Sequence, residues 1–176
     1  MSEMAQTDVT FGPPVDMAQL LAVDELGIRL EIVGGLPLWE MHPGFKHQKE
    51  VDRIRATLEP LAGSEESCGC FHYADVYVRF PDGSLKRPDI SIFCQEPPET
   101  DEAVEVVPEA VIEIVSRGYE AKDLEIGPLF YLAQGVKDII VYNPRTLLVL
   151  HVRQDGTRRH VSPVTLDLKC GCRCRV

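Results

Sequence analysis

The 176-residue chain lacks any apolar run close to the ~20 residues that a membrane-spanning helix needs. Its opening stretch, MSEMAQTDVTFGPP, has no basic patch followed by an apolar segment, so no secretory signal is read there and the protein reads as cytoplasmic. No segment repeats. No glycine-rich phosphate loop is present, and no Ser-His-Asp order stands out. Positive charge is also scarce, with 18 Lys and Arg against 28 Asp and Glu, a formal net charge of -10. That balance speaks against a broad electrostatic grip on nucleic acid. The deficit is uneven, however. From Arg145 to the end, seven basic residues meet only Asp155 and Asp167, a net +5 that leaves -15 on residues 1–144. An anion-binding surface is therefore expected near the C-terminal third, the alternative being a solvated basic end.

What is present is globular. Hydrophobic residues make up 44% and charged residues 26%, enough in this length for one domain with a real core. The expected organisation is a loose leader over 1–15, a single domain over 16–168 and a cysteine-rich basic tail over 169–176. Asp16 can cap a short helix, MAQLLAVDEL. Gly34-Gly35 reads as the turn of a hairpin. Val51, Ile54, Leu58 and Leu61 recur at three and four, the mark of an amphipathic helix over HQKEVDRIRATLEPL. FHYADVYVRF alternates apolar and polar residues, PDGS turns, and LKRPDISIF returns, which predicts an antiparallel hairpin over 71–94. YEAKDLEIGPLFYLAQG predicts a helix that Pro128 kinks or delays. VKDIIVYNP predicts a buried strand, and a last hairpin turns at Asp155-Gly156. The mixture predicts one α/β (mixed α+β) domain with helices packed against a mixed sheet.

Five of the six cysteines fall in CGC (68–70) and CGCRC (170–174), with Cys94 between them. Paired zinc ligands are usually two to four residues apart, whereas here they are separated by one. The spacing favours free thiols on a loop and a frayed tail. A metal or redox site requires the tail to fold back onto the loop at 64–70.

The chemistry is carried by carboxylates in apolar surroundings. AVIEIVS (110–116) reads as a buried strand with Glu113 at its centre. A carboxylate is rarely buried unless it is paired or holds a metal. Asp89, in KRPDISIF, opens the preceding apolar strand. A sheet can set the two side by side as a site for a hard cation, Mg2+ or Mn2+. The competing reading pairs Glu113 with Arg87 or Lys122 in a structural ion pair.

RPDISIF, then an acidic loop, AVIEIVS, a helix ending YLAQGV and KDIIVYNP, with LEIVGG and the histidine of FKHQ upstream, resembles the Uma2 family over about residues 17–165. Those proteins are restriction endonuclease-like members of the PD-(D/E)xK nuclease superfamily. The resemblance implies a central mixed sheet flanked by helices, Asp89 and Glu113 as metal ligands, DNA as substrate and, by analogy with enzymes that cut two strands, a homodimer. The sequence departs from the pattern at the lysine. Two positions after the glutamate stands Val115, and the helix position where relatives carry a lysine is Gly127. Lys122 is the replacement candidate, the alternative being a solvated helix-start residue. His47 matches the family's histidine and is a candidate to contact metal, water or phosphate, or else a surface residue. Glu31 is a further candidate carboxylate; Asp75 is a weaker one. Tyr131 matches a family tyrosine and reads as packing. The expected function is a metal-dependent endonuclease. Its rival is a catalytically degenerate nucleic-acid-binding or protein-interaction module on the same fold, and a third reading is a zinc-binding or redox-sensing cysteine cluster.

Overall fold

The computed structural model describes residues 16–40, 42–63, 68–118 and 122–176, with the side chains of Lys122 and Asp123 outside that description. The leader over 1–15 also lies outside the described residues. In chain order the elements are α1 (Met17–Glu25), β1 (Arg29–Val33), β2 (Leu36–Glu40), α2 (Phe45–Arg55), β3 (Glu59–Pro60), β4 (Phe71–Ala74), β5 (Val78–Arg79), β6 (Leu85–Lys86), β7 (Ile90–Phe93), β8 (Ala110–Ile114), a π-helical turn (Lys122–Ile126), α3 (Gly127–Ala133), β9 (Asp138–Asn143), β10 (Leu148–Arg153), β11 (Gly156–Val161), β12 (Thr165–Asp167) and β13 (Cys172–Arg175).

A six-stranded sheet, in the order β11-β10-β9-β8-β7-β4, forms the centre. Its one parallel pair is β8 with β9, joined through the π turn and α3, because parallel neighbours need a long crossover. β8 illustrates how the sequence divides the core. Ile112 and Ile114 face a cluster that includes Val51 and Ile54 of α2. Val111 and Val115 face the opposite cluster, with Tyr131 of α3 and Phe80. The two-residue period of a strand therefore assigns Glu113 to the α3 side.

Two smaller sheets flank the centre, in the orders β2-β1-β6-β5 and β12-β13-β3. The β1–β2 hairpin turns on Gly34 and Gly35 at φ 57° and 81°, the backbone that a two-residue turn requires. Asp16 caps α1 by accepting from the Gln19 amide at 2.8 Å.

The structure corrects three sequence expectations. The hairpin over 71–94 is split: β4 pairs with β7 in the central sheet, while β5 and β6 join the second sheet. The strand breaks at Asp75, whose φ of 58° ends the extended run. The first long helix stops at Arg55, so Leu58 and Leu61 lie beyond it. The delay expected from Pro128 is observed: the helix is regular only from Gly127, with Pro128 in its first turn, where a missing N–H costs nothing. Finally, the tail is not frayed. β13 pairs with both β12 and β3, and Cys172, Cys174 and Val176 are fully buried.

Candidate active site

Asp89 precedes β7 and Glu113 lies within β8. The antiparallel register pairs Ile90 with Ile112, so the next step places Asp89 opposite Glu113. Two hydrogen bonds lock this pairing. The Ile114 amide donates to Asp89 Oδ2 at 2.7 Å, and the Asp89 amide donates to Glu113 Oε2 at 3.3 Å. Both carboxylates are half-buried, so each keeps a path to solvent.

α3 and α2 approach from two sides. The Tyr131 hydroxyl, fully buried, donates a short hydrogen bond to Glu113 Oε1. Burial and the neighbouring Glu113 charge hold the phenol well above its ordinary pKa, so it stays a neutral donor. His47 of α2 places Nε2 3.0 Å from Asp89 Oδ2 and 3.1 Å from the Ile114 carbonyl. A carbonyl only accepts, so Nε2 carries the hydrogen. Burial works against the charged imidazole, but the Asp89 hydrogen bond and charge outweigh it and raise its pKa above 6.5. His47 Nδ1 is buried with no hydrogen-bond partner among the described residues.

Behind the pair lies a second layer. Glu31, buried, accepts from Lys86 Nζ at 3.0 Å and from the Arg87 amide at 2.8 Å. Lys86 Nζ lies 5.1 Å from the Tyr131 ring centroid. Beside His47 a cleft of about 500 Å³ is lined by His42, Lys46, Arg117 and Arg145, with no carboxylate among its lining residues. Lys46, Arg117 and Arg145 are exposed.

The residues present fit a hard divalent cation. Asp89, Glu113 and the Ile114 carbonyl are all oxygen donors converging at one strand end, and the polarised His47 Nε2–H already sits between two of them. The donors outside this arrangement are equally clear. Arg87 pairs with Asp24 at 2.8 Å and with Asp75 at 3.0 Å. Asp75 also holds Arg29, so it serves an arginine cluster. Lys122 opens the π turn, and its side chain lies outside the described residues. Sequence reasoning missed Lys86 as a buried cation and read Tyr131 as packing. Only the apolar neighbours of LKRP hinted that one of its two cations turns inward.

A profile of the Uma2 family, described as "Putative restriction endonuclease", matches residues 15–169. The chain belongs to the Uma2 family. A crystal structure described as a "putative nuclease belonging to DUF820" from Anabaena variabilis is similar to it with a TM-score of 0.63 and 19% identity, covering 87% of this chain and 88% of that one. At that identity the likeness shows the fold, which is restriction endonuclease-like and mixed α+β. No curated protein matches the chain. Restriction endonuclease-like families generally work with divalent metal ions. Val115 and Gly127, where the resemblance led to the expectation of a lysine, are both buried.

Proposed function

We propose that this Uma2 protein is a cytoplasmic, metal-dependent endonuclease that hydrolyses phosphodiesters in DNA and works as a homodimer, so that two sites address two strands. The observation that carries this reading is the placement of Asp89 opposite Glu113 beside a cleft lined by cations. Asp89 and Glu113 would hold Mg2+ or Mn2+. Such a cation supplies charge for the scissile phosphate and acidity for an attacking water. The chain's own residues do the rest. Tyr131 fixes Glu113 in one rotamer, and the Ile114 amide fixes Asp89. His47 orients Asp89 and stands where the cleft meets the carboxylates, able to hold a proton at Nε2. Lys46, Arg117 and Arg145 are suited to phosphate oxygens along the strand. Lys122 remains the candidate for the role of the family lysine.

A second reading follows from the lysine positions. With Val115 and Gly127 there, the site would bind metal and nucleic acid, or a protein partner, without turnover. Plasmid nicking with Mn2+ or Mg2+ separates the two. Cutting by wild type and at least a hundredfold less by Glu113→Gln, on the order of other losses of transition-state charge stabilisation, supports the enzyme. No cutting by wild type, together with a thermal stabilisation by Mn2+ that Glu113→Gln abolishes, supports the non-cleaving module.

A further inference from the structure

The carboxylate site uses none of the cysteines, yet three separate chain segments bring five of their sulfurs together. Cys68 and Cys70 come from the loop before β4, Cys94 follows β7, and Cys170 and Cys172 come from the tail. Cys68, Cys94 and Cys170 form one group whose sulfurs lie within 4.8 Å of one another, and Cys68, Cys70 and Cys172 form another. Cys68 belongs to both, with its sulfur 3.4 Å from that of Cys172.

The structure joins Cys68 to Cys94 and Cys70 to Cys172 as disulfides. Two disulfides account for four sulfurs but not for the fifth. Cys170 is a buried free thiol within the first group. The convergence also does not depend on sulfur–sulfur bonds, because backbone contacts hold each segment in place. The Gly69 amide donates to the Cys94 carbonyl at 2.8 Å, and the Leu61 amide donates to the Gly171 carbonyl at 2.8 Å. Each CGC turns at a glycine that nothing larger replaces freely. A Cβ on Gly69 would lie 2.4 Å from the Phe71 ring, and Gly171 has a φ of 89°.

We propose that, in its thiol form, the protein binds one zinc ion through Cys170 and three of the sulfurs of Cys68, Cys70, Cys94 and Cys172, a closed site that pins the tail to the end of the central sheet. Sulfurs about 2.3 Å from a tetrahedral zinc stand about 3.8 Å apart, and the sulfurs within each group already lie within 4.8 Å of one another. Thiolates select zinc, whereas the oxygen donors at Asp89 and Glu113 suit magnesium or manganese. The two sites occupy opposite ends of β7, with Asp89 before the strand and Cys94 after it. Each thiol that becomes a ligand gives one proton to solvent, and no electron moves.

The test uses the full chain, purified under reducing conditions from cells supplied with zinc. Elemental analysis should give about one zinc per chain, and cobalt substitution should give thiolate charge-transfer bands with tetrahedral d–d bands. Cys170→Ser is the discriminating variant because Cys170 takes part in neither disulfide; it should lose the zinc or bind it far more weakly, while Cys174→Ser keeps it. In wild type, zinc should shield four thiols from alkylation until a chelator is added, a readout that needs no variant. Absence of zinc from the reduced chain, with no cobalt–thiolate band and all thiols alkylated at once, would overturn the proposal. So would equimolar, tightly held zinc in Cys170→Ser.

Discussion

Tyr131 and Asp138 show how single side chains are held in this protein. The Tyr131 hydroxyl reaches Glu113 from a fully buried position, so Tyr131→Phe removes a hydrogen bond to a charged group and leaves the ring packed. The expected cost is about 1.5–3 kcal/mol, read from urea unfolding without metal. Asp138, fully buried at the start of β9, accepts from His151 Nε2 at 2.7 Å, from Arg153 Nε and from the Lys169 amide at 2.8 Å. Burial alone would raise its pKa, but the His151, Arg153 and Lys169 hydrogen bonds outweigh that and bring it below the ordinary 3.8. A lowered carboxylate pKa adds stability that is present above the unfolded value and lost as pH falls through the folded one. Asp138→Asn should therefore cost about 3 kcal/mol at pH 7, where a buried pair is broken, and the gap from wild type should narrow below about pH 4 in acid-unfolding curves. At this scale the sequence was partly legible. Glu113 was conspicuous because a carboxylate interrupted an apolar run. Glu31 and Lys86 were not, because their burial depends on β1 meeting β6, a contact between residues more than fifty positions apart.

At the scale of elements, local chemistry predicted what local chemistry decides. The α1 cap, the Gly34-Gly35 turn and β9 follow from neighbours in sequence. The break at Asp75 does not, since it arises where one hairpin is shared between two sheets and its side chain is held by Arg29 and Arg87. The tail carried a usable signal that cysteine spacing obscured. Cys172-Arg173-Cys174-Arg175 alternates with period two, and the structure buries the cysteines while Arg173 pairs with Asp167 at 2.7 Å. Close packing at the loop before β4 gives an element-scale expectation. Gly69→Ala should destabilise the protein by about 1–3 kcal/mol, because the new methyl meets the Phe71 ring at 2.4 Å and the Cys94 carbonyl at 3.1 Å. Thermal unfolding of the two proteins, side by side, checks this.

For the whole molecule, the uneven charge is resolved more locally than the sequence suggested. Part of the basic C-terminal third is spent within the fold, as Arg153 pairs with Asp138 and Arg173 with Asp167. The cations that line the cleft beside His47 come from scattered positions, Lys46, Arg117 and Arg145. DNA binding through those three should show a log K against log salt slope of about -3, and Arg145→Ala should reduce its magnitude by about 1, measured by fluorescence anisotropy across a salt series. A slope unchanged by that substitution would place the phosphate contacts elsewhere. The outer strand β11 bears on assembly as well. It is an edge of the central sheet, and it carries exposed Arg158 and Arg159 beside each other. A second copy added antiparallel along that edge, with these residues in register, would set arginines against arginines at a strand spacing of about 4.8 Å. Like charge thus guards a row of edge backbone groups against lateral sheet growth in that register.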